Sequence, residues 1–132
     1  MPAKHHIDNK AKLIITRWDG EAIDIDFIEA IKRYQRDIQT HSDYINYNEV
    51  VDFSRVTIIK LTTTGLKNIG GIASRTDQLE NKRKLALIVS SNKAFFFARM
   101  YTAFRTFSRN SNKDIRVFTN ESEAFEWVQN NI

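Results

Sequence analysis

The segment at residues 93–108, KAFFFARMYTAFRTFS, carries more aromatic side chains than one buried helix face requires. An amphipathic helix buries a stripe about 100° wide, whereas the apolar side chains here fall on three adjacent lines of a helical wheel. The surplus must be buried elsewhere or form an interaction patch, and the neighbouring arginines could pair with a carboxylate or an anionic headgroup. The candidate residues for binding a ligand or partner are Phe96, Phe97, Arg99, Met100, Tyr101, Phe104 and Arg105.

Three interpretations of this aromatic surplus stay open. The side chains of residues 93–108 could extend the core beneath a long loop, form a homodimer surface, or line an apolar ligand pocket. Arg99 and Arg105 also have a structural alternative, since each could pair with acidic residues of the first or last helix. The function favoured by the segment is a non-catalytic binding module for a small apolar, amphipathic or anionic ligand, or for a partner protein.

The stretch from 81 to 116 is strongly basic, with nine lysine and arginine residues against one acid, Asp114. Such a patch could attract nucleic acid, an anionic membrane surface or an acidic partner, and it could equally be a solvated face without a specific partner. No nucleic-acid recognition motif accompanies the charge. Weak nucleic-acid binding through the 81–116 surface therefore ranks behind the other functions.

Residues typical of catalytic and metal sites are scarce. The chain has no cysteine, and the adjacent pair His5–His6 is better explained as an exposed or edge-strand pair than as a metal site. No glycine-rich phosphate loop or nucleophile elbow is present. Two pairs of carboxylates open predicted helices, where the helix dipole accounts for them: Asp24 with Asp26, and Glu121 with Glu123. We expect no enzyme activity, no cofactor and no metal.

Hydrophobic patterning predicts the strands that would position these residues. They lie at 13–18, 49–53, 85–89 and 115–118. The first is expected to pair in a hairpin with residues from about 4 to 8. The continuous apolar run at 85–89 is typical of a strand covered on both faces. A loop region is expected to follow 49–53 and to reach about Thr64.

Four helices are predicted between and after these strands. Apolar residues at three- and four-residue spacing predict the first over 25–39, with Asp24 as its N-cap. A second pattern begins at about Thr64, the aromatic segment at 93–108 is the third helix, and Asn120 can cap the last.

Strands that alternate with helices of this length imply right-handed crossovers and a mostly parallel sheet. The expected fold is α/β: a single domain over residues 1–132, with a four- to five-stranded mixed sheet, an N-terminal antiparallel hairpin and about four helices. No stretch approaches the roughly 18 apolar residues that span a bilayer, and the start of the chain has no apolar signal region. The expected location is therefore the cytoplasm.

Two groups of segments resemble a known family. The segment VVDFSRVT at 50–57, followed by TTTGL at 62–66, resembles the central motif of STAS domains, the sulfate-transporter and anti-sigma-factor-antagonist modules. The segments AFFFARMY, IRVF and EAFEWV at 94–101, 115–118 and 123–128 are similar to the small stand-alone SpoIIAA-like branch. The resemblance implies a four- or five-stranded mixed sheet and a non-catalytic role. It also implies a relation to lipid-carrier folds of the CRAL-TRIO type, and hence a hydrophobic or anionic ligand.

The resemblance also implies a second functional hypothesis. Thr63 and Thr64 stand where the family's phosphorylation switches have serines, so they are candidate phosphoacceptors of an anti-sigma-antagonist-like partner module. The chain departs from the family pattern at Thr62, because an aspartate precedes the serines there. A phosphoryl group on either threonine would meet the start of a helix, where its charge is favoured. The structural alternative is that these threonines cap the helix.

Overall fold

Five strands form one sheet in the order β1-β2-β3-β4-β5 in a computed structural model, which describes residues 3–60, 62, 64–65, 68, 83–90 and 113–130. The strands are β1 (Ala3–Asp8), β2 (Leu13–Ile23), β3 (Asn48–Lys60), β4 (Arg83–Ile88) and β5 (Lys113–Phe118). β1 is antiparallel to β2, and the other three pairings are parallel. The predicted mixed sheet with an N-terminal antiparallel hairpin is therefore confirmed.

The described residues contain two α-helices, α1 (Asp24–Thr40) and α2 (Glu121–Gln129), and a 3-10 helix at Ser42–Asn46. This is fewer than the four helices predicted. Of the helix expected to begin near residue 64, Thr64, Gly65 and Asn68 have helical backbone. The helix predicted at 93–108 lies outside the described residues.

The start of α1 differs from the prediction. Ile23 is the N-cap residue and Asp24 is the first helical residue. The carboxylate of Asp26 reaches back and accepts a hydrogen bond from the backbone N–H of Ile23 at 3.0 Å. Because Asp24 is the first helical residue and not the cap, its side chain is available for a partner elsewhere in the fold.

The sheet is packed on both faces, as the apolar run in β4 predicted. On one face, Trp18 stacks on Phe27 of α1 with ring centroids 4.4 Å apart, and Leu85 and Leu87 belong to the same buried cluster. On the opposite face, a second cluster packs beneath α2 and consists mainly of Leu13, Ile15, Val50, Ala86, Ile88, Ala124 and Val128. Successive residues of β4 thus enter opposite clusters, because side chains alternate along a strand.

β1 and β2 are joined by a four-residue turn at 9–12. The carboxylate of Asp8 accepts a hydrogen bond from the backbone N–H of Ala11 at 3.0 Å, which stabilises the turn. Lys12 has a φ of +56° and lies in the left-handed region. The turn places residues 3–8 directly beside residues 13–18 in an antiparallel register.

β2 and β3 continue beyond the strand ends predicted from the sequence. β2 passes through Gly20, whose φ of +76° few other residues adopt, and the β2–β3 register shifts on either side of this residue. The loop expected after residue 53 is wrong, because β3 runs on to Lys60. Residues 19–23 and 55–60 thereby pair as a two-stranded extension, which we call the ribbon. It leads directly to α1 and to Thr62.

Candidate functional site

A carboxylate and a threonine meet at the carboxyl end of the ribbon. Asp24 follows β2, and Thr62 lies two residues after the end of β3. The backbone N–H of Thr62 donates to Asp24 Oδ1 at 3.0 Å, and the hydroxyl of Thr62 donates to Asp24 Oδ2 at 2.5 Å. Hydrogen bonds to a carboxylate are among the stronger ones in proteins. We call this contact the Asp24–Thr62 pair.

The hydroxyl of Thr62 also begins the next helical turn. It accepts a hydrogen bond at 2.9 Å from the backbone N–H of Gly65, three residues later, which is the geometry of a helix N-cap. Gly65 is buried, and a Cβ atom at this position would lie 2.1 Å from Cγ of Asp24. A larger residue at this position would therefore have to displace the Asp24 carboxylate from its place beside Thr62.

The structure separates the roles of the three consecutive threonines. The capping hydroxyl is that of Thr62, which stands where the STAS motif has an aspartate. Thr64, one of the two candidate phosphoacceptors, is exposed in the first turn of the helix. Thr63, the other candidate, lies outside the described residues.

The predicted ligand-binding residues all lie outside the described residues. Their role in binding therefore remains a prediction from the sequence. They are Phe96, Phe97, Arg99, Met100, Tyr101, Phe104 and Arg105.

The contact between Asp24 and Thr62 was not predicted from the sequence. Asp24 was expected to cap a helix, and no contact was expected for Thr62. One local signal was present: Thr62 precedes Gly65 by three residues, which is the usual spacing between an N-cap side chain and the N–H group that it caps. No local signal indicates that Asp24 is the partner of Thr62, since 38 positions separate the two residues.

A second polar contact holds α2 against the carboxyl end of the sheet. Arg17 of β2 donates to Asp52 of β3 at 3.0 Å and to Glu121 of α2 at 3.1 Å. Asp52 also accepts the backbone N–H of Ser54 at 2.8 Å, and its side chain is only 10% exposed. The aspartate of the STAS-like segment therefore anchors an arginine that joins two strands to a helix.

One residue of the basic 81–116 surface is buried inside the fold. Arg83 donates to the phenol oxygen of Tyr34 in α1 at 2.5 Å, and its guanidinium lies 3.6 Å from the carboxylate of Glu49. Burial, and secondarily the charge of Glu49, raises the pKa of the Tyr34 phenol. Arg83 thus connects α1 to the sheet and is not presented to solvent.

Two further basic residues of this surface contact α2. The ammonium group of Lys84 donates to the backbone carbonyl of Trp127 at 3.0 Å and to that of Asn130, at the helix's C-terminal end. Lys84 and Arg116 lie over the indole of Trp127 at 5.3 and 5.1 Å from its centroid. Intramolecular partners thus account for part of the positive charge that the sequence assigned to an open surface.

Within the described ranges, no group of three or more histidine, cysteine, aspartate or glutamate side chains is placed to hold a metal ion. None of the helices in this part of the chain is long and apolar enough to cross a membrane.

Comparisons with known proteins give a structural likeness. No family model and no curated protein matches the chain. An uncharacterized protein of the DUF3478 family from Shewanella loihica PV-4, which has a SpoIIAA-like fold, superposes with a TM-score of 0.62 at 11% sequence identity. The match covers 96% of this chain and 91% of that protein. The chain therefore has a SpoIIAA-like fold, as the resemblance in its motifs predicted.

Proposed function

We propose that the chain is a non-catalytic partner-binding module whose contact surface includes Thr64. The observation that supports this proposal is the Asp24–Thr62 pair, which fixes the start of the helical turn relative to α1. The exposed hydroxyl of Thr64 is consequently presented from a defined position at the carboxyl end of the ribbon. Loops and helix starts at this edge of a parallel sheet are frequent binding sites.

The same geometry favours binding over catalysis. The hydroxyl of Thr62 donates its proton to the Asp24 carboxylate and accepts the N–H of Gly65, so both of its hydrogen-bonding functions are already used within the fold. A nucleophile would need its oxygen directed at a substrate while a base accepts its proton. The Asp24–Thr62 pair is thus better explained as a structural contact that orients Thr64.

The position of Thr64 suits regulation by phosphorylation. Near a helix start, the partial positive charge of the backbone N–H groups stabilises an added phosphoryl group. The modification would replace a neutral hydroxyl by about two negative charges on the contact surface, and a partner that tolerates one form would reject the other.

The experiment compares partner binding by wild type, Thr64→Ala and Thr64→Glu after expression in the native host, with phosphosite mapping by mass spectrometry. Thr57→Ala, which alters an exposed threonine of β3, is the matched control. We expect the Glu variant to change the affinity for the recovered partner by about tenfold or more, about 1.4 kcal/mol. Identical affinities for all four proteins would contradict a contact at Thr64.

A second candidate function rests on the aromatic segment at 93–108. β4 and β5 are parallel neighbours, and strands paired in this way are usually connected through a helix, which agrees with the sequence prediction of a helix at 93–108. Its surplus aromatic area beside Arg99 and Arg105 suits an amphipathic ligand with an anionic group.

Native mass spectrometry of the purified protein, followed by lipid extraction, tests this second function. We expect a bound amphipathic molecule whose amount decreases in the double variant Arg99→Ala and Arg105→Ala but not in Arg55→Ala, which changes an exposed arginine of β3. A ligand-free protein that binds no fatty acid in titrations would overturn the ligand hypothesis, and a dimer in the same spectra would support the homodimer interpretation.

A further inference from the structure

A histidine lies between the edge strand β1 and helix α1. The Nδ1 atom of His5 is 3.1 Å from the hydroxyl of Thr16 in β2. Its Nε2 atom is buried and makes no hydrogen bond of ordinary geometry within the described part of the chain, although the backbone of Ala30 lies near enough to favour a proton on the ring. His6, the next residue, is exposed on the opposite face of the strand. The two adjacent histidines therefore occupy different environments.

Charged groups surround His5 from two elements. α1 contributes Arg33 and Asp37, together with the backbone of Ala30, and β3 contributes Glu49. Burial and the charge of Arg33 disfavour the imidazolium, whereas Asp37, Glu49 and the Ala30 backbone favour it. The first two effects dominate, so the pKa of His5 is lower than its usual value of 6.5.

The attachment of β1 depends on this region. β1 forms strand pairs with β2 and with no other described strand, and Ala3 packs into the same buried cluster as Trp18. On the face opposite α1, Lys4 and His6 are exposed. β1 is therefore held by its backbone pairing with β2 and by the packing of one face, and His5 lies at the centre of that face.

We propose that β1 is an acid-sensitive edge strand, released from β2 and α1 when the half-buried imidazole of His5 takes up a proton. Release uncovers the backbone edge of β2 over residues 13–18, which β1 pairs in the closed form. An uncovered edge of this kind can accept another strand. The release of β1 does not involve Thr64, and it would add a pH response to the proposed binding module.

The direction of the response follows from the two protonation equilibria. In the released strand, His5 regains a pKa near 6.5, whereas in the closed form its pKa is lower. Protons therefore bind preferentially to the released form. Release becomes more favourable as the pH falls below about 6.5, and the effect levels off below the pKa of the closed form.

Amide hydrogen exchange between about pH 7.5 and pH 5 tests the proposal, after correction for intrinsic exchange rates. For each unit by which the fold lowers the pKa of His5, we expect up to about a tenfold loss of protection in β1 at the acidic end. β4 should change much less. His5→Phe, which removes the titrating group, should abolish the pH dependence in β1, and His6→Gln should retain it.

A direct titration of wild-type His5 by NMR keeps the test independent of the variants. A pKa for His5 below 6.5, together with acid-dependent exchange in β1, supports the proposal. A pKa at or above 6.5, or exchange in β1 that does not respond to pH, would overturn it even if His5→Phe failed to fold.

Discussion

The carboxylate of Asp24 connects two helix starts, because it belongs to the first residue of α1 and accepts two hydrogen bonds from Thr62, the cap of the next helical turn. The contact joins the chain after β2 to the chain after β3 at one point. The geometry at Thr64, and with it the proposed contact surface, depends on this connection.

Removal of the Asp24 carboxylate should weaken the second helix start. In Asp24→Ala, the N–H and the hydroxyl of Thr62 both lose their acceptor, and we expect a loss of about 1–2 kcal/mol in the free energy of unfolding. Urea denaturation measures the loss. Glu29→Ala, which removes an exposed carboxylate from the same helix, should stay within about 0.5 kcal/mol of wild type. Equal stabilities for the two variants would contradict the role of Asp24.

The effect of Gly65→Ala on the free energy of unfolding should depend on the residue at position 24. In the wild-type background, Gly65→Ala places a methyl group 2.1 Å from Cγ of Asp24, and we expect a loss of about 1–3 kcal/mol. In an Asp24→Ala background, the same substitution should be neutral or stabilising by up to about 1 kcal/mol, since alanine favours a helix. A double-mutant cycle measures the difference, and an equal cost in both backgrounds would disprove the steric explanation.

The two ion pairs of Arg17 should contribute unequally. Its partner Asp52 has a side chain that is 10% exposed, whereas Glu121 is 55% exposed. We expect Arg17→Ala, which removes both pairs, to cost about 1–2 kcal/mol because a buried carboxylate loses its cation, and Glu121→Ala, which removes only the exposed pair, to cost less than about 0.5 kcal/mol. Denaturant midpoints of the two variants test this order. A larger loss for Glu121→Ala would refute it.

Alkaline pH should destabilise the protein through Tyr34. The phenol is neutral in the fold because burial raises its pKa, whereas in the unfolded chain it ionises near pH 10. Its contribution to stability is therefore complete below about pH 10 and decreases as the pH rises beyond it. We expect Tyr34→Phe to be less stable than wild type at neutral pH, because Arg83 loses an acceptor. The difference in the free energy of unfolding between the two proteins should decrease above pH 10. A gap that stays constant with pH would contradict this explanation.

Much of the fold could be predicted because its signals are local. The continuous apolar run in β4 and the helical spacing in α1 depend on neighbouring residues, and Asn120 accepts the N–H of Glu123 as its position before α2 predicted. The ends of β2 and β3 could not be predicted in this way. Asp19-Gly20 is typical of a turn, yet Gly20 adopts its positive φ inside a strand, where pairing with β3 determines the conformation.

The candidate site was harder to predict because its contacts are distant in sequence. The STAS resemblance directed attention to the threonines, but the hydroxyl that caps the helix belongs to Thr62 and its partner is 38 residues away. Arg83 presents the same difficulty, since a basic residue in a basic segment is buried against Tyr34, 49 positions earlier. Charge counted along a segment does not reveal which side chains the fold has already paired.

The four-residue turn at 9–12 determines how quickly β1 could return after release. A strand on so short a connection re-forms its hairpin in about 1–10 μs, and it competes for β2 at an effective concentration in the millimolar range. An incoming strand could displace it only by binding more strongly than β1 does. Neutralisation of the medium would therefore restore the closed sheet almost at once, which makes the transition reversible rather than a route to irreversible unfolding.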